Sequence, residues 1–260
     1  MGGETGLYRV GPGSRRGGVT ERDRLLLRPW DASACSASCC TLCCAPLAAE
    51  AHGQCSPPVS ATTRRPPVSG REEQPHVAAV IGTPRRHGNT VALVDAALEE
   101  LARCGCRCSR IMLAELHIGA CLAHESCGEL TECALDDDMA HVLEKVYAAD
   151  GLILASPVYY ENVSSQMKAF MDRNATRYYH KEWLTPKIVG LIAVATESGL
   201  DDTLAAMRRF IALSSPQEVP ILSLGGFADK PGDAAADTRL MAAARELGLA
   251  MGQRLGLRPA

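Results

Sequence analysis

The chain has 260 residues, 47% of them hydrophobic, and its 27 basic and 30 acidic side chains give a formal net charge of −3. This length suits one large domain or a medium domain with a tail, and the apolar fraction can form a sizeable core. The near balance of charge argues against a nucleic-acid binder held by phosphate contacts. The sequence has no run of about 18 apolar residues, so we expect no transmembrane helix.

The cysteine content, 12 residues, is unusual. A secreted disulfide scaffold would be shorter and would lack the regular pattern of strands and helices found from residue 76 onward. We therefore expect a reducing compartment, the cytoplasm, in which the thiols are free or bound to a metal.

Residues 1–75 differ in composition from the rest of the chain. They hold eight of the 15 prolines, nine of the 23 glycines and only two aromatic residues, Tyr8 and Trp30. Such a segment buries too little apolar surface to offset its chain entropy, so we predict a disordered tail. Three alternatives stay open: a signal peptide within 15–49, a metal site in the cysteine-rich run 39–44, and a translation start placed too far upstream.

Residues 76–260 show strands alternating with helices. Short apolar runs predict buried strands at 76–82, 107–113, 151–155, 188–195 and 219–224. Apolar residues at helical spacing predict helices at 90–101, 138–146, 162–173, 201–213 and 235–255. Asp136 or Asp137 is a natural N-cap for the second of these helices.

Five strands in such an alternation predict an α/β fold with a parallel sheet between two layers of helices. Right-handed crossovers then favour a doubly wound, three-layer, flavodoxin-like sandwich with strand order 2-1-3-4-5. Ligands of such sheets bind beyond the carboxyl ends of the first and third strands. The loops after the first, third and fourth strands are therefore expected to carry the chemistry.

The loop after the first strand, residues 82–90, runs into a helix N-terminus. Free N–H groups and the helix dipole attract an anion there, and Gly82 and Gly88 let the backbone approach it. A triphosphate loop needs four residues between its glycines and then Lys, whereas this loop has five and then Asn89. A phosphate monoester such as that of flavin mononucleotide (FMN) fits better, and an ordinary strand–helix turn is the alternative.

The loop after the third strand, residues 156–164, contains the adjacent tyrosines Tyr159 and Tyr160. Their rings can contact a planar ligand while backbone groups bond its polar edge. The alternative is that they are core or interface residues. In the helix that follows, Met167, Phe170 and Met171 can either pack the domain or face a second subunit.

Three stretches in order resemble the NAD(P)H-dependent FMN reductase group of the flavodoxin-like superfamily, particularly its iron–sulfur flavoprotein branch. They are VIGTPRRHGNT (80–90), DDMAHVLEKVYAADGLILASPVYYENVSSQMKAFMDR (137–173) and ADKPGD (228–233). The resemblance covers about residues 76–256. It implies phosphate contacts from Thr83, Arg85, Gly88, Asn89 and Thr90. It implies contacts with the flavin ring from Pro157, Val158, Tyr159, Tyr160 and Asn162, with the ring closed in from the other side by Thr196, Ser198 and Gly199.

The iron–sulfur branch carries four cysteines at spacings x2, x2 and x5, and this chain has Cys121, His124, Cys127 and Cys133 at those positions. A [4Fe-4S] cluster prefers four thiolates, so His124 makes a cluster less expected than its absence. Three cysteines and one histidine also suit a structural zinc ion. The remaining alternative is a metal-free loop that rims the flavin pocket. Arg173, further along, is predicted to be a solvated or paired surface charge.

The resemblance implies an FMN-dependent oxidoreductase that passes a hydride from NAD(P)H to a quinone, a flavin or another small acceptor. No catalytic side chain is nominated, because the flavin carries the chemistry. The alternative is a flavodoxin-like or iron–sulfur flavoprotein electron carrier between protein partners. We expect a homodimer or homotetramer with the helix 162–173 at the subunit contact, and neither nucleic acid nor a membrane as a partner.

Overall fold

The computed structural model describes residues 7–9 and 74–258. Its strands are β1 (Leu7–Arg9), β2 (His76–Ile81), β3 (Arg107–Met112), β4 (Gly151–Pro157), β5 (Ile188–Ala195) and β6 (Ile221–Phe227). Its helices are α1 (Asn89–Arg103), α2 (Met139–Tyr147), α3 (Ser165–Asp172), α4 (Ala175–Tyr179), α5 (Leu200–Ser214), α6 (Asp233–Ala236) and α7 (Thr238–Arg254). None of these helices has the length and apolar character needed to cross a membrane.

The strands form one parallel sheet in the order β1-β6-β5-β4-β2-β3. The five predicted strands are β2 to β6, and their arrangement confirms the order 2-1-3-4-5 and the flavodoxin-like fold. β1 is an addition: three residues of the predicted tail pair with the open edge of β6, with Leu7 opposite Ser223. The rest of that predicted tail, with the run 39–44, lies outside the described residues.

Helices cover both faces of the sheet. Ile153 of β4 packs in a cluster with α1 and α7, and its neighbour Leu154 packs in a second cluster with α2, α3 and α5. Successive side chains of a strand point to opposite faces, so a strand covered on both sides is apolar at every position. This is the physical reason that the central strands were recognisable as uninterrupted apolar runs.

Helix boundaries differ from the prediction at two places. The helix predicted at 162–173 begins at Ser165, because Ser164 is its N-cap and residues 159–162 form a tight turn instead. The helix predicted at 235–255 is divided at Asp237, whose carboxylate accepts the first N–H groups of α7. The short helix α4, directly after α3, was not predicted.

Candidate functional site

The loop 82–90 ends at the uncapped N-terminus of α1. The N-cap is Gly88, no side chain accepts a hydrogen bond from the first turn, and that turn holds no acidic residue. Thr83 is buried, and its Oγ1 shapes the turn by accepting the N–H of Arg85 at 3.2 Å. The N–H groups at the start of α1, including that of Thr90, are therefore available to an anion.

The side chain of Asn89 reaches the loop after β6. Its Nδ2 donates to the carbonyl of Lys230 at 2.9 Å, and its Oδ1 accepts the N–H groups of Gly232 and Ala234 at 3.0 and 3.2 Å. The side chain of Asn89 therefore binds the ADKPGD stretch to the loop 82–90, and only the backbone N–H of Asn89 remains for an anion.

Ser164 joins the loop 82–90 to the loop after β4. It is fully buried, its Oγ donates to the carbonyl of Gly82, and the same Oγ accepts the N–H of Met167 at 3.2 Å. Its own N–H donates to Oγ of Ser156 at 2.9 Å. Sequence reasoning missed Ser164, and its position just before a helical run was the only local signal.

The two tyrosines of the loop 156–164 lie at the surface. Tyr159 and Asn162 exchange backbone hydrogen bonds of 2.9 and 3.1 Å, and between them Tyr160 and Glu161 have φ values of 48° and 61°. Left-handed backbone at two adjacent residues with side chains is strained. On this turn the Tyr160 side chain is fully exposed and the Tyr159 side chain is 41% exposed. Pro157 and Val158 lie half-buried below this turn.

The loop after β5 contacts this turn. Thr196 and Ser198 are exposed, and Oγ of Ser198 donates to the Glu161 carboxylate. Gly199 has φ +80°, and a Cβ there would lie 2.7 Å from Cγ1 of Val158 and 2.8 Å from Cα of Glu161. Only glycine allows both this backbone conformation and this close approach. The three predicted loops thus meet at the carboxyl edge of β2, β4 and β5.

The four candidate metal ligands surround a second site. Cys121, His124, Cys127 and Cys133 line one narrow, mostly apolar cavity, together with Arg173 at the end of α3. Within residues 74–258, no three His, Cys, Asp or Glu side chains are gathered tightly enough to share one metal ion. The four residues therefore line the same cavity, but their donor atoms do not converge on one position that a single metal ion could occupy.

Arg173 is not the surface charge that was predicted. It is 2% exposed, and its guanidinium donates to both carboxylate oxygens of Asp137, at 2.6 and 2.9 Å, and to the carbonyl of Gly119 at 3.0 Å. Burial alone would raise the pKa of Asp137, but the guanidinium and two backbone N–H groups lower this pKa to about 2. Asp138 is the N-cap residue of α2, but its carboxylate accepts the N–H of His117 at 2.6 Å and caps no helical N–H. The predicted Asp137 accepts the N–H of Met139, the first residue of α2, at 3.1 Å.

Comparisons with known proteins agree with this geometry. The sequence profile of the NADPH-dependent FMN reductase family matches residues 75–225, more than half of the chain. An iron–sulfur flavoprotein of Methanocaldococcus jannaschii is 34% identical over 180 residues, which cover 66% of this chain and 93% of that protein. An iron–sulfur flavoprotein of Archaeoglobus fulgidus is 35% identical over 154 residues, 59% of this chain and 69% of that protein.

A solved structure shows the same fold. The NAD(P)H:quinone oxidoreductase of Methanothermobacter marburgensis superposes with a TM-score of 0.53 and 18% identity, over 67% of this chain and 94% of that chain. The residues matched by the family profile contain all three loops and the cysteine cavity. The chain belongs to the NADPH-dependent FMN reductase family, and it is a flavin oxidoreductase whose cofactors are FMN and NAD(P)H.

Proposed function

We propose that this oxidoreductase passes a hydride from NAD(P)H, through FMN, to a quinone, a flavin or another small acceptor. One observation carries the proposal: an uncapped helix N-terminus and an exposed tyrosine turn meet at one edge of the sheet and are joined by Ser164. The first suits a phosphate and the second suits a planar ring. FMN has a phosphate at one end and such a ring at the other.

At the phosphate end, we assign the donors to the backbone N–H groups of Asn89 and Thr90 and the positive charge to Arg85. Arg85 is exposed and has no carboxylate partner among the described residues, whereas its neighbour Arg86 pairs with Glu115 at 3.1 Å. Arg85 is therefore the cation of this loop that is free to neutralise a phosphate.

At the ring end, the half-buried Pro157 and Val158 offer an apolar floor, and Tyr159 and Tyr160 offer aromatic faces. The N–H of Val158 donates to the carbonyl of Val194 at 2.8 Å, which holds this floor on the sheet. Bound FMN supplies the hydride acceptor and the electron store, and these residues supply binding and orientation.

A titration of the flavin-free protein with FMN, followed by flavin fluorescence, tests the phosphate site. Arg85→Ala removes a charge-assisted contact and is expected to weaken FMN binding about tenfold, which corresponds to about 1.4 kcal/mol. Arg86→Ala is the matched control and is expected to change the Kd less than about twofold, because it removes only an exposed ion pair. Equal effects of the two substitutions, or wild-type protein that binds no FMN, would contradict the proposal.

A steady-state assay tests the reaction itself. The FMN-loaded protein is expected to oxidise NADPH or NADH when menadione is present as a quinone acceptor. Flavin-free protein under the same conditions is the control. If the protein binds FMN but oxidises neither NADPH nor NADH, the proposed reaction is refuted and the proposed FMN site is not.

A second candidate differs in the acceptor: an iron–sulfur flavoprotein that carries electrons to a protein partner. It is favoured by the cavity lined by three thiols and His124, beside the buried Arg173, whose Nε has no hydrogen-bond partner among the described residues. A single ion needs its ligands gathered at one point, whereas the irons of a cluster take one ligand each. The spread-out donors fit a [4Fe-4S] cluster better than zinc. Absence of turnover with small acceptors, together with stoichiometric reduction by dithionite, would favour this candidate.

The subunit contact is proposed to lie at α4 instead of α3. Met167 and Phe170 of α3 are fully buried in the protein's own core, so they are not free to face a second subunit. Tyr178 and Tyr179 of α4 are 51% and 61% exposed. A homodimer through α4 predicts that the double variant Tyr178→Ser, Tyr179→Ser is a monomer by light scattering. A monomeric wild-type protein would refute it.

We also place the protein in a reducing compartment, the cytoplasm. None of the six cysteines in the described part of the chain forms a disulfide, which fits that environment. Thiol titration of protein released from cells under acid quench measures the fraction that is reduced there. A largely oxidised pool would count against this placement.

A further inference from the structure

Arg173 leaves one hydrogen-bond donor unused. Two of its nitrogens bond Asp137 and Gly119, but Nε is buried and unpaired within the described part of the chain. An unpaired buried donor costs about 1–3 kcal/mol, and such groups are rare in native proteins. Because Arg173 lines a cavity, a group that occupies this cavity can accept the hydrogen bond from Nε.

The cavity beside Arg173 is lined by sulfur. Cys121, Cys127 and Cys133 all line it, and the sulfur of Cys133 lies beside the guanidinium without completing a hydrogen bond to Nε. The bidentate pair with Asp137 balances the charge of the guanidinium. What Arg173 offers the cavity is therefore the free Nε–H, a donor that suits an acceptor atom such as sulfur.

The same side chain also fixes the cavity wall. Asp137 accepts the N–H of Gly119 at 2.9 Å as well as the guanidinium, and the guanidinium donates to the carbonyl of Gly119. Gly119 precedes the first cysteine by two residues. Arg173 thereby ties the start of the cysteine stretch to the end of α3, whose other end is capped by Ser164 in the flavin site.

We propose that Arg173 is the positioning residue of the cysteine cavity, and that its Nε–H donates to the sulfur atoms of a [4Fe-4S] cluster held there. This inference rests on the iron–sulfur candidate given above. Three thiolates and a neutral histidine around a doubly positive cluster core leave a net negative charge, which reduction increases. An N–H that donates to cluster sulfur favours the reduced form, so Arg173 raises the midpoint potential through this hydrogen bond and not through net charge, which Asp137 balances.

The test compares proteins reconstituted with ferrous iron and sulfide in the absence of oxygen. The variants are Arg173→Lys, which keeps the charge, and the pair Arg173→Met with Asp137→Asn, which leaves no buried charge unpaired and so allows folding. Arg177→Met, in the neighbouring helix α4, is the control, because Arg177 is partly exposed and pairs with Glu182. Iron and sulfide content, the midpoint potential from a dye-mediated titration, and FMN content are measured on each sample.

The wild-type protein is expected to take up about four irons per chain. The double variant is expected to show a midpoint potential shifted to more negative values, Arg173→Lys a smaller shift in the same direction, and Arg177→Met none. Equal potentials in all four proteins would overturn the role of Arg173. A wild-type protein that binds FMN but takes up no iron would overturn this inference and leave the flavin site intact.

Discussion

Replacing Ser164 by alanine removes the side chain that joins the loop 82–90, the proposed phosphate loop, to the loop 156–164, which carries Tyr159 and Tyr160. Loss of an N-cap hydroxyl costs about 0.5–2 kcal/mol. The Gly82 carbonyl, which is buried, loses its hydrogen bond from Ser164 as well, and an unpaired buried group costs about 1–3 kcal/mol. The expected loss in free energy of unfolding is therefore about 1.5–5 kcal/mol. If about 1.4 kcal/mol of this falls on the phosphate loop, the Kd for FMN rises about tenfold.

Urea unfolding of the flavin-free protein measures the first quantity, and an FMN titration measures the second. Ser165→Ala is the matched control, because the adjacent Ser165 is exposed and its Oγ bonds only the side chain of Gln166. It is expected to change stability by less than about 0.5 kcal/mol. Equal unfolding midpoints and equal FMN affinities in the two variants would refute the idea that Ser164 couples the loops.

Three further predictions concern the same regions. Gly199→Ala is expected to cost about 2–4 kcal/mol and to weaken FMN binding, because alanine is strained at φ +80° and its Cβ would lie 2.8 Å from Cα of Glu161. Asn89→Ala is expected to cost about 1–2 kcal/mol, because three hydrogen bonds to the loop after β6 are lost. Acidification is expected to lower the free energy of unfolding of the wild-type protein by about 2 kcal/mol. Burial would raise the pKa of Asp137, but pairing with Arg173 lowers this pKa from 3.8 to about 2. This stability is present above about pH 4 and is lost as the pH falls through about 2.

Each of these predictions has its own check. Gly105 also has a positive φ, of 85°, but nothing lies within 4 Å of a Cβ there, so Gly105→Ala shows the backbone strain without the clash. If Gly105→Ala lowers the free energy of unfolding as much as Gly199→Ala does, the close approach of residue 199 to Glu161 contributes nothing to the effect. Unchanged urea unfolding of Asn89→Ala would show that the bonds to the loop after β6 contribute nothing. For the acid prediction, Asp137→Asn should lose less stability between about pH 4 and 2 than wild type, and identical acid curves would contradict it.

The central strands could be predicted because burial on both faces leaves a local signature. β4 and β5 are apolar at nearly every position, and their lengths fall within the range of strands. The order of the strands followed from the handedness of crossovers, which is a general rule and needs no contact information. β1 could not be recognised in this way, because three residues are too few to show a pattern of apolar side chains.

The loops of the site were predictable in position but only partly in detail. Because parallel strands end at one edge, the loops 82–90 and 156–164 could be predicted to be neighbours from their places after β2 and β4 alone. The use of the Asn89 side chain was not predictable in this way, because its partners Lys230, Gly232 and Ala234 lie more than 140 residues further along the chain.

The sequence by itself determined the fold class and the family, because each depends on local patterns or on motifs in order. Only the tertiary structure decided that Ser164 holds the Gly82 carbonyl, 82 residues away, and that Arg173 is buried against Asp137, 36 residues away. An arginine beside polar residues has the composition of a surface position. The burial of Arg173 depends on the carboxylate of Asp137, which precedes α2 and is brought to Arg173 by the fold. No local sequence pattern indicates that these two residues are close.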